Sequence, residues 1–335
     1  MFTQRWMRLF VLAALAVVVA CGSSEAPEGG DATQPKGRQF LSVGTAPAGG
    51  AFFVVGSAIA EVLDANAGEN GWSVSAEGTK GSQENIRRID AGELELALAN
   101  SAISYFASRG VEKWGEAANI RSVMTLAPNV GLFIAPANGS VKTIADLKGR
   151  RVYLGPAGAG FDYFLRPLLE AHGVAYEEID AVHGSQAQAV DYLSDGSADA
   201  AFLGGAVPTA SITQATTSQA IHFIPYDAAA IATLVDQFEF FRGATIPAGT
   251  YRGLDVEYPG LDVGSMHLIA SGATDDEMVY QLTKTLYDHR EDVVAKHPAG
   301  RAINPKNAAR DTGTTFHDGA IRYYREIGIW PTDEN

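Results

Sequence analysis

The stretch 77-EGTKGSQENIRRIDAGELELALAN-100 sets the grammar of the chain. It follows a strand-like run, 72-WSVSA-76, and opens with small polar residues: Gly78, Thr79, Gly81, Ser82 and Asn85. These stand at the mouth of a helix expected around 83–92. Ile86 and Ile89 supply an apolar i, i+3 stripe, and Gly92 is a C-terminal stop. The run 94-LELALA-99 then reads as a short strand. Strand, Gly-rich loop, helix and strand in that order predict a mainly parallel sheet.

The same grammar recurs in both directions. Strand 40-FLSVGT-45 runs into the loop 46-APAGGA-51 and a helix over 52–66. A second unit opens near Ala127, with 130-VGLFIAP-136, strand 151-RVYLG-155 and another Gly-rich turn before a helix. The segment 194-SDGSADAAFLG-204 echoes 90-DAGELELALAN-100, which suggests two related α/β lobes. Near the end, Thr274 is a candidate N-cap for a helix over 274–292, with Asp275, Asp276 and Glu277 in its first turn. Met278, Leu282, Leu286 and Val293 form its expected buried stripe.

The start of the chain has a different composition. Arg5 and Arg8 precede the apolar run 9-LFVLAALAVVVA-20, too short for a membrane span, which needs ~20 residues. The run 18-VVAC-21 resembles a bacterial lipobox, so residues 1–21 are expected to be a lipoprotein signal peptide with Cys21 as the lipidated residue. Cys21 is the one cysteine of the chain, which excludes internal disulfides and cysteine ligands downstream. Residues 22–38 are rich in Gly, Ser, Pro and Glu and read as a flexible tether.

Composition narrows the function. A net charge of −14 argues against nucleic acid as a partner, because such binders need a basic face. Local donors can still favour a small anion. No GxxxxGK[ST] loop, dinucleotide fingerprint, GxSxG elbow or HExxH pair is present, so neither catalysis nor a metal is expected. Three loops instead stand between a strand and a helix: Gly44 to Ala51, Gly78 to Asn85 and Gly155 to Phe161. Each offers backbone N–H groups at a helix N-terminus, which suits an anion. In open parallel sheets such loops gather at the carboxyl ends of the strands and form a shared cleft.

With these motifs in hand, the chain resembles the TAXI-type solute receptors of tripartite ATP-independent periplasmic (TRAP) transporters. The resemblance rests on 44-GTAPAGGAFFVVG-56, 79-TKGSQENI-86, 92-GELELALAN-100, 152-VYLGPAGAG-160, 195-DGSADAAFLGGAVP-208, 246-IPAGTY-251, 297-HPAG-300 and 317-HDGAIRYYREIG-328, in that order. It implies an α/β, type II periplasmic-binding-protein fold, with two α/β lobes, a hinge and an interlobe ligand cleft. Lobe 1 is expected at 39–127 plus 247–335, and lobe 2 at 128–246. It further implies an extracytoplasmic, lipid-anchored, monomeric receptor without a cofactor. Such a receptor takes up a small organic carboxylate, of the glutamate or 2-oxoglutarate kind or more apolar, for TRAP permease subunits. The alternative on the same fold is an ABC-importer receptor or a ligand-sensing lipoprotein.

The expected ligand-binding residues are Thr45, Gly49, Gly50, Phe52 and Phe53 in the first loop, and Thr79, Lys80, Ser82 and Asn85 in the second, Lys80 as a departure from the family pattern. Asn100 follows the next strand, then Gly158, Ala159, Gly160 and Phe161 in the third loop, and Gly204 and Pro208 in the second lobe. Phe52 or Phe53 stands where the family has tyrosine, and Ala159 where it has serine. Two hydroxyl donors are thereby lost, and an apolar or aromatic portion is expected on the ligand. Lys80 replaces a family glycine and adds a positive charge.

Overall fold

The structure is a computed structural model that describes residues 38–48 and 50–331. Cys21, the signal segment, the tether as far as residue 37 and Gly49 lie outside the described residues.

The chain begins with β1 (Gln39–Gly44), α1 (Ala51–Ala65), β2 (Trp72–Glu77), α2 (Ser82–Asp90), β3 (Leu96–Asn100) and α3 (Ser101–Arg109). Next come β4 (Ile120–Thr125), β5 (Val130–Pro136), β6 (Arg151–Leu154), α4 (Asp162–Ala171), β7 (Asp180–His183) and α5 (Gln188–Ser194). They are followed by β8 (Ala200–Gly205), α6 (Ala210–Ser218), β9 (Ile221–Ile224), α7 (Ala228–Gln237), β10 (Phe241–Ile246) and β11 (Tyr258–Val263). The last elements are β12 (Met266–Ser271), α8 (Asp276–Asp288), α9 (Arg290–Lys296) and α10 (Asp318–Glu326).

Two sheets result. The first has the order β2-β1-β3-β12-β4; the second runs β10-β11-β5-β8-β6-β7, with β9 also paired to β5. In the first, β1, β2 and β3 are parallel and β12 is antiparallel to both of its neighbours. β12 runs against the others because the chain re-enters this sheet from the second lobe. In the second sheet β6, β7 and β8 are parallel, and β5 runs against β8, β9 and β11. The sheets are therefore mixed rather than mainly parallel. This is the two-lobed α/β fold expected of a type II periplasmic binding protein.

Alternation along β3 explains how helices cover both faces. Leu96 and Leu98 join Leu41, Val43, Ile59 and Leu282 on one side, under α1, α8 and α10. Ala97 and Ala99 join Ile86, Ile89 and Ile103 on the other, under α2 and α3. Small residues on that second face let α2 and α3 approach the sheet closely.

The lobe boundary differs from the sequence expectation. Residues 258–263, expected in lobe 1, form β11 of the second sheet, hydrogen-bonded to β10 and β5. The chain turns back after Ile246 and fills the gap beside β5 before it crosses. The two crossovers are thus the segments between β4 and β5 and between β11 and β12, side by side. Val263 N–H donates to Asn129 O at 3.0 Å, Met266 N–H to Ala127 O at 2.9 Å and Leu126 N–H to Met266 O at 2.8 Å. The helix cap shifts too: Asp275, not Thr274, caps α8, accepting from Met278 N–H at 3.0 Å. Val279 replaces Met278 in the buried stripe, and the helix breaks after Asp288, so that Val293 belongs to α9.

Candidate functional site

Helices α1, α2 and α3 follow the parallel strands of the first sheet, and α4 and α6 follow β6 and β8 of the second. Their N-termini therefore lie at strand carboxyl ends, and those ends face one another. A Cβ at Gly81 would lie 3.7 Å from Ala159 Cβ, and one at Gly205 would lie 3.9 Å from Ala51 Cβ. Gly160, at φ +93°, sits against Ile103, where a Cβ would come within 2.8 Å of Cδ1. Glycine is required there by conformation and by space. The lobes stand closed on the loops singled out in the sequence.

Within the first lobe, the polar side chains of these loops hold the strand ends together. Thr45 is fully buried, and its hydroxyl donates to Glu77 O at 2.7 Å. Thr79 Oγ1 donates to Thr45 O at 3.1 Å and accepts from Gly81 N–H at 3.2 Å. Asn85 Nδ2 donates to Thr45 O and to Leu98 O, both at 2.7 Å. Its Oδ1 is buried without a hydrogen-bond partner among the described residues, so the group Asn85 has left over is an acceptor. Ser82 Oγ accepts from Asn100 N–H at 2.9 Å, a bond that does not use the Ser82 proton. Lys80 is exposed, and among the described residues its backbone N–H alone is engaged, with Glu84 at 3.2 Å.

Gly50 caps α1 from an extended conformation, and Phe52 and Phe53 follow half-buried. Phe52 packs on the first lobe's core, while the Phe53 ring lies close to Gly78. In the second lobe Gly158 is exposed and Ala159 buried. Phe161 covers Gly155 and packs on Phe164 at 5.2 Å and Phe202 at 6.5 Å, so it belongs mainly to its own lobe's core. Gly204 is buried against the crossover, and Pro208, exposed, follows a cis peptide bond.

Two groups of residues were not found by sequence reasoning. Gln186 reads the backbone of Gly204 with both ends of its amide, at 2.9 and 3.0 Å, and accepts from Ser211 at 3.2 Å. The run 183-HGSQ-186 is another Gly- and hydroxyl-bearing strand-end loop, and that signal could have found it. The second group holds the crossovers. Asp262 is almost wholly buried and accepts from Asn129 N–H at 3.0 Å and Ser265 Oγ–H at 2.5 Å. Arg310 donates to the same Ser265 Oγ at 2.6 Å. Burial pushes the Asp262 carboxyl above its ordinary pKa, against the lowering pull of its hydrogen bonds and of Arg310. Nothing in the sequence spacing links residues 129, 262 and 310.

No group of three or more metal-binding side chains is found among the described residues. What the arrangement offers is a cleft bounded by five helix N-termini, with hydroxyls and backbone at its walls. Helix N-termini and free N–H groups of this kind favour a small anion.

Known structures share the fold. A Xanthomonas citri protein bound to ATP is 10% identical, with a TM-score of 0.52 over 87% of this chain and 97% of that one. A Bordetella bronchiseptica RB50 protein is 15% identical, with a TM-score of 0.52 over 88% and 91%. Periplasmic binding protein BugD is 15% identical, with a TM-score of 0.51 over 88% and 95%. The model of the NMT1-like family matches residues 43–328, and the chain belongs to that family.

Proposed function

We propose that the protein is an extracytoplasmic solute-binding receptor that captures a small organic carboxylate between its lobes and delivers it unchanged to a membrane permease. The observation that carries this reading is the convergence of the N-termini of α1, α2, α3, α4 and α6 on one interlobe cleft. Each contributes a partial positive charge and N–H groups. The family match and the fold shared with BugD support a binding protein in general. Membership of the NMT1-like family, rather than of a TRAP receptor family, is what favours an ABC importer as the permease class. The TAXI-like motifs are what support a TRAP permease. Lipid anchoring at Cys21 completes the proposal and rests on the lipobox alone.

We propose a division of labour among the loop residues. Thr45, Thr79, Asn85 and Asn100 serve as the frame, because their donors are committed to strand ends and crossovers. Ser82 Oγ–H, the backbone about Gly50, Gly158 and Gly160, and the exposed Lys80 are the proposed ligand groups. Phe53 is the proposed wall for an apolar portion.

A thermal-shift screen of amino acids, dicarboxylates and aromatic acids tests the proposal. A ligand present at 100 times its dissociation constant stabilises by about 2.7 kcal/mol. A shift with a carboxylate, absent with its amide or alcohol, is expected. A shift only with neutral or cationic solutes would overturn it. The permease class is read from uptake into vesicles: ATP-driven for an ABC importer, ion-gradient-driven for a TRAP permease.

A further inference from the structure

The crossovers are not the only connection between the lobes. Helix α3 leaves the cleft at Ser101 and runs beside α4 of the second lobe. Ile103 packs against Gly160. One turn on, the Phe106 ring lies 5.6 Å from Tyr163 and 5.8 Å from Phe240. Tyr105 meets Phe240 edge-on at 5.2 Å, and Trp114 stacks on Tyr163 at 6.0 Å. At the margin Lys113 Nζ is 2.5 Å from the Asp162 carboxylate, an ion pair between lobes.

The hydrophobic core is continuous across this contact: Ile86, Ile103 and Phe106 belong to one cluster with Tyr163, Phe164 and Phe240. Phe106 and Tyr163 are 9% and 4% exposed. An aromatic side chain buries ~150–250 Å², so parting these faces would expose a large apolar area. On the opposite side of the cleft no such seal is found among the described residues. There Ala51 approaches Gly205, next to the exposed Val207 and Pro208.

We propose that the α3–α4 contact is a persistent pivot. The lobes turn about it and the paired crossovers, and the cleft opens on the α1–α6 side. Phe106, Lys113 and Asp162 are positioning residues that set the angle at which the loops of 78–82 and 158–161 meet. The placement supports this: Asp162 directly follows the third loop, and Ser101 directly follows Asn100. A groove of about 250 Å³ between Phe106, Lys113, Asp162, Tyr163, Arg166 and Phe238 leaves room for rotation at the margin. The proposal rests on the receptor reading only in requiring that the lobes move.

Hydrogen exchange on the full chain, with no ligand added, tests it. In the wild type, amides of 103–107 and of 163–166, 168 and 169 should be as protected as those of β1 and β6, while those of Ala206 and Val207 exchange fast. Lys113→Asp should raise exchange in 78–82 and 158–161 about two- to fivefold, the worth of an exposed ion pair, and leave β1 and β6 unchanged. The swap Lys113→Asp with Asp162→Lys should restore protection. Phe106→Leu, a milder change than truncation to alanine, should raise exchange in the same loops. Fast exchange of 103–107 in the wild type would overturn the pivot. So would a uniform rise or no rise in the variants, or a swap that fails to restore. None of these outcomes depends on whether the ligand is a carboxylate.

Discussion

Asn100 Nδ2 donates to the carbonyl of Gly264 at 2.8 Å, so the end of β3 is tied to the crossover that returns from the second lobe. The same side chain caps α3, its Oδ1 accepting from Ala102 N–H at 2.9 Å. Gly264 has φ +111°, and a Cβ there would come within 2.3 Å of Asn100 Oδ1. One residue therefore joins the start of α3 to the crossover, and only glycine fits beside it.

Asn100→Ala removes a cap and a buried hydrogen bond. The expected loss is about 1–3 kcal/mol of unfolding free energy. Asn100→Ser keeps a neutral cap acceptor and loses the amide donor, and should fall between. Urea denaturation at pH 7 measures both; a Ser variant no more stable than the Ala variant would contradict the capping role.

Asn85 gives a second contrast. With both amide protons on strand-end carbonyls, Asn85→Ala should lower stability by about 1–3 kcal/mol, two buried carbonyls each losing one donor while Thr45 O keeps that of Thr79. Thermal melts of the ligand-free protein read this directly. Unchanged melting with lost ligand affinity would instead make Asn85 a direct ligand donor.

His267 makes stability depend on pH. It is fully buried, with Nε2 2.8 Å from Ser104 Oγ and Nδ1 3.5 Å from Ser122 Oγ. Burial, with Arg310 nearby, pushes its pKa down from 6.5 to about 3. The folded state therefore holds the ring neutral where the unfolded chain binds a proton. This contribution is complete above pH 6.5 and is lost as pH falls toward 3. Between pH 6 and 4 the wild type should lose up to about 1.4 kcal/mol per pH unit more than His267→Gln. Equal slopes in the two proteins would remove His267 from the account.

Much of the fold was legible because hydrophobic pattern and turn chemistry agree locally, as in 77–100. The two-lobed architecture and the facing loops followed from that pattern. β11 was not legible: a strand that returns antiparallel after an eleven-residue excursion between Ile246 and Tyr258 has no local mark of its sheet. Nor were the roles of Thr79 and Asn85. A hydroxyl or amide in a strand-end loop serves a ligand or a neighbouring carbonyl equally well on paper, and only the distances to Thr45 O separate the two. The Asp262–Ser265–Arg310 network joins residues far apart in sequence, whose meeting depends on the crossovers having formed.

The most direct test of the receptor reading is a calorimetric titration of the best carboxylate from the thermal-shift screen into wild type and Ser82→Ala. Ser82 is predicted to donate to the ligand. One site per chain is expected in the wild type, with affinity weakened about 10- to 150-fold in Ser82→Ala, the range of one hydrogen bond to a charged group. The melting temperature of the ligand-free variant should change little. No saturable binding by any small organic acid, or the same affinity in both proteins, would contradict it.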